Sequence, residues 1–310
     1  MSPSRPPSVV TSLVAAFLLV VASACAATTG SGSHSPTSSG PLDVVAGENF
    51  WGSLAGQLGG AQVHVTSVVS DPNADPHEYE TNPADARAFT AADLVILNGA
   101  GYDDWASKLL SAQPQTGRRL FSVATLLKKK PGDNPHFWYD PADVFRVIDA
   151  LTAEYEWMRP HERSYFAARH AAVERTLDPY RAKLRVITTR FSGTPVASTE
   201  EIFQYLADYL HLDLVTPLAF MKAVAEGIDP PASSVATFDR QIEDGAFRVL
   251  VYNSQTVTPL TTVIKDQAAH RGVPVIAVSE TIQPSTDSFE TWMVGELDTL
   301  AHALTGTSAP

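Results

Sequence analysis

From Leu42 onward, short apolar runs alternate with helical patterns, and this alternation constrains the fold more than any other feature of the chain. Leu42 to Ala46, Val63 to Val69, Leu94 to Leu97 and Leu120 to Val123 read as strands. Between them, Phe50 to Leu58 reads as a helix stopped by Gly59-Gly60. Asn82-Pro83 supplies a cap and first turn for a helix to Ala91, and Tyr102 to Leu110 is a further helix. Runs such as Leu94-Val95-Ile96-Leu97 are apolar on both faces, which fits a parallel sheet covered by helices on either side. The pattern then changes. Pro141 to Met158 and Glu162 to about Arg190 are long charged stretches with Tyr165, Phe166, Val173, Leu177, Tyr180 and Leu184 at helical spacing. The alternation resumes with strands at Val196 to Ser198, Leu214 to Thr216, Arg248 to Asn253 and Val273 to Val278. Helices are expected at Glu201 to Leu210, Ser233 to Ile242, Pro259 to His270 and Ser288 to Leu304. The expected class is α/β: two lobes with mostly parallel sheets, residues 42–140 and 191–310, joined by a long helical connector at 141–190.

The first 41 residues are of a different kind. Arg5 is the only charged side chain before Asp43, and Val9 to Ala22 is a nearly unbroken apolar run of 14 residues. A membrane span needs roughly 20, so this length fits the apolar region of a signal peptide, residues 1–24. The sole cysteine, Cys25, follows small residues where such a peptide is cut, and Val20 to Cys25 resembles a bacterial lipobox, with Ala22 where that pattern prefers Leu. Lipidation at Cys25 and anchoring to the extracytoplasmic face of the cell membrane are therefore expected. Residues 25–41, rich in Ala, Thr, Gly, Ser and Pro, have the composition of a flexible linker, in which His34 is incidental. One cysteine excludes an internal disulfide, and the net charge of −12 argues against nucleic acid or an anionic lipid surface as main partner.

In parallel α/β sheets, ligands bind just past the carboxyl ends of the strands. Four ligand-type residues fall there. His77 lies in the proline-pinned loop Ser70-Asp71-Pro72-Asn73-Ala74-Asp75-Pro76-His77-Glu78-Tyr79-Glu80, directly after a strand. His136 lies in the rigid turn Asn134-Pro135-His136-Phe137-Trp138-Tyr139-Asp140-Pro141. Glu200 follows Val196-Ala197-Ser198, and Glu280 follows Val273 to Val278. Proline lowers the entropy lost when a loop is held, which suits a preorganised ligand. Each residue alone also has an ordinary reading: a solvated loop histidine, an acid at a helix start, a surface acid. Spacing along the chain does not show that the four converge.

The two histidine loops resemble the signature loops of zinc/manganese-type solute-binding proteins of ABC importers, the ZnuA/TroA-like cluster A-I proteins. The likeness covers Leu42 to Leu304 and includes Asn49-Phe50-Trp51, Asn98-Gly99, Phe203-Gln204-Tyr205-Leu206 and Trp292-Met293. It implies a metal site with two histidines from the first lobe, His77 and His136, and two ligands from the second, falling on Glu200 and Glu280, with Glu201 a register alternative to Glu200. The third family position is His in zinc-type members and often Glu in manganese-type ones, and the fourth is commonly Asp. The His-rich acidic loop of many zinc-type members is missing from Leu110 to Pro135, which carries Lys128-Lys129-Lys130 instead.

Two neutral imidazoles and two carboxylates balance a divalent charge, easing burial of the set. Imidazole suits Zn2+, carboxylates capable of bidentate binding lean toward Mn2+, and almost any N/O site binds Zn2+ more tightly. Glu78, Glu80 and Asp140 are close enough in sequence to serve as acceptors behind the imidazoles. The resemblance implies a non-enzymatic, monomeric binding protein for one Zn2+ or Mn2+ ion, working with separate permease and ATPase chains. The chain has no Walker A or Gly-x-Ser-x-Gly motif. Two alternatives stand beside this reading: a metallohydrolase using the same His/Glu set with an open coordination position, and a metal-chelate or cobalamin binder with a large aromatic cleft. Lys128 to Lys130 reads as a solvated loop, and Trp51, Trp138 and Trp292 as core or cleft lining.

Overall fold

A tetrad such as Leu94–Leu97 leaves no face for water, and in the computed structural model all four of its residues are buried. Residues 40–74 and 76–306 are described. The expected signal segment, Cys25 and nearly all of the linker lie outside the described residues, as do Asp75 and the side chain of Glu78. The first sheet is built from β1 (Leu42–Glu48), β2 (Val63–Val69), β3 (Leu94–Leu97) and β4 (Arg119–Ser122). All its strands are parallel, in the spatial order β2-β1-β3-β4. Its helices are α1 (Asn49–Gly59), α2 (Pro83–Ala91), α3 (Asp104–Ala112) and the short α4 (Val123–Leu127). Asn82 caps α2 as the sequence implies: its side chain accepts from Ala84 and Asp85, and Asp85 returns a bond to the Asn82 N–H.

The charged middle forms three helices, α5 (Pro141–Met158), α6 (Arg163–Thr176) and α7 (Asp178–Phe191). The stretch from Glu162 breaks at Leu177 because Pro179 has no N–H to give to the carbonyl four residues back and its ring crowds that turn. The second sheet repeats the first, with β5 (Pro195–Ser198), β6 (Asp213–Leu214), β7 (Leu250–Asn253) and β8 (Val275–Val278) parallel in the order β6-β5-β7-β8. Its helices are α8 (Gln204–Tyr209), preceded by a 3-10 turn at Glu201–Phe203, α9 (Leu218–Ala225), α10 (Ala232–Glu243), α11 (Pro259–His270) and the terminal α12 (Phe289–Thr305). The sequence pattern does not reveal α4, whose five residues are too few for a helical period, or α9, whose single polar residue, Lys222, leaves no apolar–polar alternation to read.

Each sheet is covered on both faces. Val45, Phe89 and Val95 pack one side of the first sheet, and Phe220, Phe238 and Ile264 one side of the second. The remaining faces share one apolar cluster that runs from Leu42 to Leu304 and takes in α1, α5, α7 and α12. Within it Phe50 stacks on Trp138 at 4.0 Å between ring centroids, and α12 lies against α7. Among the described residues, no helix is long and apolar enough to cross a membrane.

Candidate metal centre

The carboxyl ends of both sheets converge on one small volume. After β2, a 3-10 turn at Pro76–Glu78 carries His77. His136 heads a second such turn, and Phe137, Trp138 and Tyr139 behind it are wholly buried, so the aromatic core fixes its position. Asn98, just past β3, ties that turn down by donating from Nδ2 to the Pro135 carbonyl (2.9 Å) while accepting from Trp51 Nε1 (3.0 Å). The adjoining Gly99 has φ +78°, and a Cβ there would sit 2.8 Å from that of Ala124, so glycine is required on both counts. Glu200 follows β5 and Glu280 follows β8.

His77, His136 and Glu280 each offer an atom such that all three lie within 4.8 Å of one another. His77 Nε2 is 3.5 Å from Glu280 Oε2. Glu200 is set slightly apart from this trio, with Oε1 3.8 Å from His136 Nε2. It is joined to Glu280 through Asn253 at the end of β7, whose Nδ2 reaches Glu200 Oε1 (3.0 Å) and Glu280 Oε1 (2.6 Å). Tyr102 donates its hydroxyl to Glu280 Oε2 at 2.7 Å. Glu201, the register alternative, faces an adjoining cleft of about 660 Å³ that His77, Tyr102, Lys222 and Gln255 also line.

His136 is fully buried, and desolvation, reinforced by the proximity of His77, holds its pKa well below the ordinary histidine value, so the ring is neutral. Nδ1 lies 2.8 Å from Asn134 Oδ1, an oxygen that can only accept, so the proton sits on Nδ1 and the lone pair on Nε2. That Nε2 is buried with no hydrogen bond among the described residues. A neutral imidazole presenting a bare nitrogen toward carboxylates is what a divalent cation requires of a ligand. Behind the trio, Glu48 at the end of β1 is fully buried with neither oxygen hydrogen-bonded among the described residues. Burial, with the charges of Asp103 and Glu280, holds its pKa well above the ordinary carboxylate range. Asp103, likewise pushed up to about 6 by burial, accepts from the Asn98 and Gly99 amides.

Of the acceptors expected behind the imidazoles, Asp140 instead caps α5 by accepting from Ala142 and Asp143, Glu80 is exposed, and the Glu78 side chain lies outside the described set. Asn134 fills that role for His136. Lys129 is also not the solvated residue expected of Lys128 to Lys130: its Nζ donates to Tyr205 Oη at 3.1 Å, and Tyr205 donates to the Asn134 carbonyl at 2.9 Å. The pattern reading overlooked Asn134, Asn253, Gln255 and Glu48. A search for polar residues within two positions of each strand end finds Glu48, Asn253 and Gln255.

The model of a family described as "Zinc-uptake complex component A periplasmic" (ZnuA) matches residues 44–303. The chain belongs to the ZnuA family. This ZnuA-family chain is 23% identical over 291 residues to the metal ABC transporter substrate-binding lipoprotein SloC of Streptococcus mutans, covering 85% of the chain and 90% of the relative. It is 23% identical over 256 residues to the manganese-binding lipoprotein MntA of Halalkalibacterium halodurans, covering 81% and 84%. Among solved structures, the periplasmic zinc-binding protein TroA of Treponema pallidum superposes with a TM-score of 0.69 at 17% identity, over 86% of this chain and 99% of TroA. FpvC of Pseudomonas aeruginosa in complex with Mn2+ gives 0.69 at 18% identity, over 86% and 98%. These likenesses establish the two-lobed parallel α/β fold for the ZnuA-family chain.

Proposed function

We propose that this chain captures one divalent transition metal ion, Zn2+ or Mn2+, outside the cytoplasm and delivers it to a membrane permease powered by a separate ATPase chain. His77 Nε2, His136 Nε2, Glu280 and Glu200 are the ligands in this reading, and Glu201 stands on the rim. The observation that carries it is the meeting of His77, His136 and Glu280 within 4.8 Å around a buried imidazole nitrogen that has no hydrogen bond among the described residues. The 2+ charge of the ion cancels the two carboxylates, which removes most of the penalty for burying them. The family match, a manganese-binding relative and a zinc-binding structural neighbour support capture and delivery as the role. Residues 42–140 and 191–310 serve as the two lobes, 141–190 as the connector, and the protein acts as a monomer held to the membrane through lipid on Cys25 after removal of residues 1–24.

Equilibrium dialysis with elemental analysis tests the assignment. The wild-type protein takes up one ion per chain, and the His77→Ala/Glu280→Ala double variant retains fewer than about 0.5, since coordination supplies the binding energy. Wild-type occupancy in that variant disproves the ligand set. Competition of Mn2+ against buffered Zn2+ then fixes the preference.

A further inference from the structure

We infer that Gln255 is a positioning residue that fastens the His77 loop to the Glu280 loop, so that release of the ion requires its side-chain amide to let go. The inference rests on the metal-binding reading above. Gln255 lies two residues beyond the end of β7, and its backbone N–H donates to Asn253 Oδ1 at 2.9 Å, which ties its backbone to the strand end. Its Oε1 accepts from the backbone of Glu280 (2.7 Å) and Thr281 (3.0 Å) and from the Thr281 hydroxyl (3.3 Å). Its Nε2 donates across to the carbonyl of Ala74, three residues before His77. One planar amide therefore holds a ligand-bearing segment with each end. Gln283 reinforces the crossing by donating from Nε2 to the Pro72 carbonyl at 3.1 Å and to Gln255 Oε1 at 3.4 Å.

From the other side, Asn49 holds the same segment, accepting from Ile282 N at 3.0 Å. The Glu280 segment is thus fixed to the first lobe independently of Gln255, whereas the amides of Gln255 and Gln283 hold the Ala74 and Pro72 carbonyls. Losing Gln255 loosens the His77 loop and leaves the lobes joined. The histidine then leaves the ion first, because its side chain is the partly exposed member of the trio, 25% accessible against 0% for Glu280.

The test uses the mature protein loaded with Zn2+ and, separately, Mn2+, with release timed by transfer to a chromophoric chelator. Gln255→Ala is expected to release the ion about tenfold faster, the effect of losing one cross-loop hydrogen bond and stranding a carbonyl. Hydrogen exchange across residues 70–82 of the loaded protein rises at the same time, a change that a role confined to the Glu280 loop would not produce. Gln57→Ala, which cuts a different cross-lobe bond, to Glu290 Oε2, moves neither measurement. If Gln255→Ala does not fold, Gln255→Glu replaces it, since it keeps an oxygen for the Glu280 and Thr281 amides and has no donor for Ala74; the same two changes are expected. Wild-type release, or wild-type exchange across 70–82, overturns the latch while the binding reading stands. A wild-type protein that binds neither ion overturns both.

Discussion

At the scale of single residues, the atom that defines the site is His136 Nε2, and Asn134 makes it available by holding the proton on Nδ1. Asn134→Ala is expected to weaken metal binding about 10- to 100-fold, the usual cost of removing the group behind a ligand imidazole, and Asn134→Asp to recover most of it. Competition dialysis reads both, and equal affinity in all three proteins would contradict the role. Glu296 on α12 makes a different prediction. Burial pushes its carboxyl up to about 7, and its Oε2 lies 2.6 Å from the Tyr139 hydroxyl, which is also 2.9 Å from the Ser279 carbonyl. Tyr139 has one proton for two acceptors, so a protonated Glu296 resolves the conflict by donating to the tyrosine oxygen. In the unfolded chain the carboxyl titrates near its ordinary value of about 4.3. Its contribution to stability is therefore full below about 4.3 and lost as pH rises through about 7. Glu296→Gln, whose amide can still donate to Tyr139, should flatten that part of the metal-free stability curve measured by urea titration. The two histidines were legible in the sequence because prolines and aromatics mark their loops. Asn253 and Gln255 could be marked only as polar residues near a strand end, because their meaning depends on carboxylates and loops brought together by folding.

At the scale of elements, the parallel strands declare themselves through unbroken apolar runs, and the long helices through periodicity and caps such as Asn82-Pro83. Short elements escape because local hydrogen bonds, rather than a repeating face, define them: Ser122 accepts from Thr125 to start α4, and Lys128 closes it at φ +59°. The junction between β3 and α3 offers a quantitative check. Gly99 and Gly101 both have positive φ, +78° and +94°, but only at Gly99 does a Cβ meet a neighbour, Ala124. Gly101→Ala is expected to cost about 1 kcal/mol for the backbone alone, and Gly99→Ala about 1–3 kcal/mol more for the clash. Urea unfolding of the metal-free protein separates them, and equal costs would show that the turn relaxes freely. Because Asn98 shares that turn and holds the His136 loop, Gly99→Ala should also weaken metal binding, while Gly101→Ala should not.

For the whole molecule, the governing feature is the apolar cluster common to both sheets and the connecting helices. Two lobes with separate cores would swing widely and melt separately; these are expected to unfold in one calorimetric transition. Saturating metal should raise stability by RT ln(1 + [L]/Kd), about 2.7 kcal/mol at 100 times Kd. The backbone should move by no more than about 1 Å on loading, as at preorganised binding surfaces, so the radius of gyration from X-ray scattering should be the same with and without metal, and a clear change would mean the core slides. The cluster also dictates traffic. Phe50 and Trp138 stand behind the trio, and a bare cation crosses such hydrocarbon only at prohibitive cost. The cleft on the other side of the trio, lined by Glu201, Lys222, Gly101, Asp133, Thr256 and Thr258, offers a polar way around that wall. A receiving channel would meet that opening from both lobes at once, since its rim is shared between them.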